Sequence, residues 1–194
     1  MPRVNIKALA LFTLIAFPIF AIVLMHFFSD DAFLIIFENK RSLVLQIATG
    51  VLFGAASAML AIQLVRIPFM ENSTSKYTKM LQKLNLSIPM IIFISFAAGI
   101  GEEILFRGAI QNILGLWPAA IIFVAIHGYL NPMDWKISVY GVFLVFVSAA
   151  FGYLFNNQGI YSPILAHTVF DLILLFYVKN NILHTTEHYH DEEE

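Results

Sequence analysis

Long apolar runs separated by short polar stretches organise the chain. They cover residues 8–28, 43–65, 88–110, 117–130, 137–155 and 160–178. All but the fourth are about 20 residues long, the length at which an α-helix crosses a hydrocarbon layer about 30 Å thick. None shows the two-residue alternation of a membrane β-strand. The pattern therefore predicts an all-α fold, a polytopic membrane helix bundle with about six transmembrane helices in a single integral membrane domain, 1–194. The run at 117–130 is short for a full crossing, and the topology after it would invert if it were re-entrant. Pro18 is expected to kink the first run. That run has too long an apolar core for a secretory leader, and no small-x-small cleavage pattern follows it. It is therefore expected to be a retained span.

Composition agrees. Of 194 residues, 59% are hydrophobic and 12% charged, too little charge to cover a soluble domain of this size. The formal net charge of −2 argues for no nucleic-acid partner. With no cysteine in the chain, disulfides, thiol nucleophiles and thiolate metal sites are excluded. Six crossings would put both termini on one side. In that arrangement Arg3, Lys7, Arg66, Lys76, Lys79, Lys83, Lys136 and Lys179 share that side, against Lys40 and Arg41 on the other. The positive-inside rule then places both termini in the cytoplasm, with the protein in the cell membrane.

Within the runs, ionisable residues are few. His26 falls near the end of its run, at the expected interface. Glu102, Glu103, Arg107, His127, His167 and Asp171 lie deeper. Such groups are costly in lipid, face the bundle interior and default to a functional reading. Glu103 and Arg107 are four apart, as are His167 and Asp171, so each pair shares a helix face. Glu102 is rotated about 100° from Glu103 and need not join its ion pair. The small residues just before the carboxylates, AAGIG at 97–101, would let another backbone come close. At about 1.5 Å per residue, Glu102, His127 and His167 all fall near the middle or outer half of the bilayer. Each group alone has a packing explanation: a helix-locking ion pair, a buried histidine, an interhelical clamp. Three polar groups on three helices at matched depth point instead to one shared site.

At these residues the chain resembles a known family. EEILFR at 102–107 fits E-E-x-x-x-R, FVAIH at 123–127 fits F-x-x-x-H, and HTVFD at 167–171 fits H-x-x-x-D/N. The ordered set is similar to that of the CPBP (Abi) intramembrane proteases and their relatives, the type II CAAX prenyl endopeptidases. The resemblance spans 88–178, the expected catalytic core. It implies hydrolysis of a peptide bond of a membrane-associated protein or peptide, by a glutamate-activated water. Its substrates would include prenylated proteins, bacteriocin or pheromone leaders, or C-terminal sorting tails.

In this reading Glu102 is the general base, because Arg107 occupies Glu103. His127 orients the same water, and His167 and Asp171 supply oxyanion donors. No cofactor is expected. Zinc is the alternative, held by His127, His167 and Glu102, although no HExxH motif occurs and Arg107 beside a would-be ligand competes with a cation. The tail residues His184, Glu187, His188 and His190 have ligand-like spacing and are expected to form a solvated, weakly metal-binding tail. The competing functions are a non-proteolytic scaffold for a signalling partner and a proton-coupled transporter. The latter is disfavoured by the lack of paired broken helices and inverted repeats.

Overall fold

A computed structural model describes residues 5–70 and 86–190, with side chains up to residue 180. The residues of the tail cluster therefore lie outside the described side chains. The elements are α1 (Ile6–Phe28), a 3-10 turn (Phe33–Phe37), α2 (Leu43–Val65), α3 (Ile88–Leu114), α4 (Leu116–Ile126), α5 (Trp135–Gln158) and α6 (Tyr161–His190). The described residues contain no strand.

Polar residues at the ends of the runs set the helix starts. Asn5 accepts from the Ala8 amide, Ser42 from Leu45 and Asp134 from Ile137, each satisfying an otherwise orphaned first-turn N–H. α1 runs unbroken through Pro18. Among the described residues five helices are long and apolar enough to cross a membrane, and α4, at 11 residues, is not. At 1.5 Å per residue α4 covers only about 16 Å. It stops at His127 because the next residue, Gly128, takes φ +79°, outside the helical region, and Asn131 and Pro132 follow.

The chain nevertheless traverses the bundle here, so the fourth run is not re-entrant. At one end, Gln111 of α3 donates to Gly152 O and Asn156 Oδ1 near the end of α5. At the other, Trp135 at the start of α5 packs edge-on against Phe69, just past α2. Residues 127–134 complete the passage outside any helix. Their geometry is fixed by Ser138, which accepts from the Asn131 amide and donates to its carbonyl.

Two faces follow. Lys179 Nζ donates to Leu86 O at 2.8 Å, so α6 passes the start of α3 at residue 179, and Arg66 sits over Tyr177. α1 runs parallel to α3, with Ala21 and Met25 packed on the Ile104–Ala109 stretch and Ile36. The starts of α1, α3 and α5, the end of α2 and α6 near residue 179 therefore share one face, with Lys7, Arg66, Lys136 and Lys179. Lys40 and Arg41 lie at the other, where their amides donate to Gln158 O.

The small residues before the carboxylates perform the expected role. A Cβ on Gly99 would strike Thr168 Oγ1 and Ile164 O of α6, and one on Gly101 would strike Thr13 O of α1. With no hydrophobic driving force in lipid, such close backbone approach gives helices their packing energy. Apolar side chains of α1 and α2, among them Leu9, Phe12, Ile19, Val44 and Leu52, point outward, as a lipid-facing surface requires. Gly101→Val should overpack the α1–α3 seam and cost about 1–3 kcal/mol. Thermal unfolding of the purified protein in detergent checks this, and an unchanged melting temperature would refute the packing described.

Candidate active site

The six polar residues singled out by the sequence converge. α3 carries the two glutamates and the arginine, and its geometry widens there to a π-helix over Ile104–Ile110. Wide turns of this kind are rare and concentrate at functional sites. Glu103 and Arg107 are completely buried. Arg107 Nε donates to Glu103 Oε2 at 2.8 Å and Nη2 to Oε1 at 3.3 Å. Nη2 also donates to Ser148 Oγ of α5 at 3.0 Å. The guanidinium carbon lies 5.3 Å from the centre of the Phe123 ring, a cation–π contact in a desolvated setting.

α6 brings in His167, six residues past its start. Its Nδ1 lies 2.8 Å from Glu103 Oε1. That carboxylate already accepts from Arg107, so the imidazole nitrogen is the donor. α4 ends on His127, whose Nδ1 lies 2.6 Å from Phe123 O. A carbonyl only accepts, so this nitrogen also carries a proton. Both rings thus turn Nε2 the other way, toward Glu102: its Oε2 is 3.5 Å from His127 Nε2 and 3.9 Å from His167 Nε2. Asp171 Oδ2 is 3.6 Å from His167 Nε2, beyond hydrogen-bond length. His167 and Asp171, which share a face of α6, are thus within ion-pair range but not hydrogen-bonded.

Burial separates the two glutamates. The Glu103 side chain is wholly enclosed, whereas those of Glu102, Asp171 and His127 retain 13%, 26% and 35% of their accessible surface. Glu102, His127, His167 and Asp171 line a cavity of about 250 Å³ whose other walls are mostly apolar or aromatic, including Phe151, Phe170, Leu144 and Leu174. Through Ile94, Tyr129, Tyr140 and Leu175 the cavity extends toward the face that holds the start of α3 and Lys179 of α6.

Sequence reasoning missed two parts of this arrangement. Ser148 gave no signal, because a lone hydroxyl in an apolar helix is ordinary packing glue. Phe123 was visible only as a motif position. In the structure its ring contacts Arg107, His127 at 4.5 Å, His167 at 5.7 Å and Phe106 at 5.0 Å.

Zinc can be tested against this geometry. Both imidazoles have the Nδ1–H anchoring that metal-bound histidines show. However, among the described residues no three His, Cys, Asp or Glu side chains converge as ligands would. Glu102 Oε2 lies within 4 Å of both Nε2 atoms. The residues as arranged do not fit a shared zinc.

Comparison with known proteins places this constellation. Residues 84–173, the segment that holds all three motifs, match the family described as Type II CAAX prenyl endopeptidase Rce1-like. The resemblance read from the motifs is borne out over this segment. The chain is also 32% identical over 108 residues to the uncharacterized protein YpbD of Bacillus subtilis (strain 168), a match that covers 55% of this chain and 53% of that protein. The chain thus spans about half the length of this curated relative. No solved structure matches it.

Removing one partner of a buried ion pair strands the other, at about 3–5 kcal/mol. Arg107→Ala should therefore lower thermal stability in detergent clearly more than Glu102→Ala, whose side chain reaches the cavity. Equal melting temperatures for the two variants would contradict the division between them.

Proposed function

We propose that this chain is an intramembrane endopeptidase in which Glu102 activates a water that hydrolyses a peptide bond. One observation carries the reading: a single Glu102 oxygen is faced by two imidazole Nε2 atoms, at 3.5 and 3.9 Å, on the wall of a cavity. The match of this segment to a family of prenyl endopeptidases supports the reaction class.

A water lodged against Glu102 donates one hydrogen to the carboxylate and the other to the bare Nε2 of His127. Its lone pair is left pointing into the cavity. As it attacks the scissile carbonyl carbon, Glu102 takes its proton. His167, as the imidazolium, and Asp171, in its acid form, donate to the developing oxyanion. Glu102 then returns the proton to the departing amine nitrogen as the C–N bond breaks. Glu103 touches no reacting atom. It holds His167 by Nδ1 and is itself held by Arg107. No step uses a metal.

The positive-inside rule, applied to Lys7, Arg66, Lys136 and Lys179 against Lys40 and Arg41, assigns the cavity-bearing face to the cytoplasm of a cell membrane. A substrate would present its scissile bond from that side with an apolar tail along the cavity wall. Prenylated C-terminal tails and apolar leader peptides both fit this description.

Glu102→Gln keeps the shape but cannot accept a proton, so turnover of a farnesylated peptide with a CAAX-type tail should fall by about 10²–10⁴. EDTA or phenanthroline should leave the wild-type rate unchanged. Zinc-dependent loss and recovery of activity would overturn the metal-free mechanism. Comparing membrane-protein termini in cells carrying wild type or Glu102→Gln identifies the natural substrate. Full cellular function in the Glu102→Gln strain would favour a scaffold instead.

A further inference from the structure

We propose that Ser148 is a positioning residue that, by holding Arg107, fixes the Glu103 carboxylate on which His167 is anchored. Arg107 Nη2 has two nearby acceptors, Ser148 Oγ at 3.0 Å and Glu103 Oε1 at 3.3 Å. Glu103 Oε1 is also the atom to which His167 Nδ1 donates, at 2.8 Å. The shorter of the two Nη2 contacts goes to the serine. The hydroxyl draws one Nη2 hydrogen to α5 and so fixes the guanidinium plane, while the other stays on Oε1, whose lone pairs serve both Arg107 and His167.

The surroundings make this draw effective. Arg107 and Glu103 are wholly buried, and Ser148, on the cavity wall, is nearly so, so a lost acceptor is costly. Arg107 Nη1 has no hydrogen-bond partner among the described residues, so Nη2 carries both the tie to α5 and part of the tie to Glu103. The Phe123 ring limits motion of the guanidinium plane on one side. Without the hydroxyl, the Nη2 hydrogen it accepted is left unpaired beside the unpartnered Nη1, and the guanidinium reorients, carrying the Glu103 carboxylate away from His167 Nδ1. The His167 ring then loses its anchor, and with it the direction of Nε2 toward Glu102 and Asp171. One hydroxyl on α5 thereby sets a ring on α6 through two residues of α3. The consequence for turnover rests on the hydrolytic reading above, whereas the consequence for His167 does not.

The test is nitrogen NMR of the full chain in detergent micelles, with isotope-labelled histidine and the His167 signals assigned through His167→Gln. Ser148→Ala should shift the His167 ring-nitrogen signals away from those of an Nδ1–H donor, and Ser148→Thr should restore them. With the farnesylated peptide probe, Ser148→Ala should lower kcat about tenfold, the effect of losing one charge-assisted bond, with KM unchanged. Should the alanine variant fail to fold, Ser148→Thr and Ser148→Val, alike in shape, decide between them: wild-type signals in the first and shifted signals in the second. His167 signals that stay wild-type without the hydroxyl overturn the proposal, as do signals that shift equally in the threonine variant. If the wild-type protein cleaves no probe, the hydrolytic reading fails while the NMR comparison still decides the role of Ser148.

Discussion

The buried Glu103–Arg107 ion pair is the constraint on which the rest of this site depends. Two charges with no exposed surface are tolerable in a bilayer only if they satisfy one another and their remaining hydrogen-bonding capacity is met nearby. Here the surrounding helices meet it in all but the Nη1 group of Arg107. Ser148 of α5 takes a guanidinium N–H, His167 of α6 donates to the carboxylate, and the Phe123 ring of α4 lies against the guanidinium. Solvating one ion pair in the absence of water thus brings four helices to a common point.

The pair also frees its neighbour. Because Arg107 and His167 engage Glu103, the adjacent Glu102 has no cationic side chain within hydrogen-bond distance and looks into the cavity. The π-helical stretch Ile104–Ile110 follows immediately, with the close backbone contacts of Gly99 and Gly101 just before it. Two consecutive carboxylates thereby come to differ in role through environment alone: one structural and enclosed, the other partly accessible and faced by two imidazole nitrogens. Such separation of paired acids by their surroundings is a recurrent basis for acid–base chemistry.

Much of this was legible in the sequence, for physical reasons. Apolar runs of bilayer length fix most helix positions within a few residues, and α2 coincides with its run at 43–65, whereas α6 continues twelve residues beyond its run, to His190. The high cost of charge in lipid makes Glu102, Glu103, Arg107, His127, His167 and Asp171 conspicuous, and helical spacing pairs Glu103 with Arg107. What stayed hidden depends on tertiary context. The wide turn after Glu103 has no composition of its own. The non-helical passage at 127–134 follows from the backbone at Gly128 and from Ser138, which lie outside the hydropathy pattern. Ser148 resembles any small residue at a helix seam. The short contact of His167 with Glu103 rather than Asp171 could not be read from spacing, which favours the partner on the same helix.

In the proposed reaction Glu102 and His127 are two parts of one device that holds and activates a single water. A double-mutant cycle on kcat/KM with Glu102→Gln, His127→Ala and the combined variant tests this most directly. Residues that act as a unit are strongly non-additive, so the double variant should be about as slow as the slower single variant. Penalties that simply add, so that the double variant loses the product of the two single losses, would mean that the residues serve separate steps and would contradict the shared site.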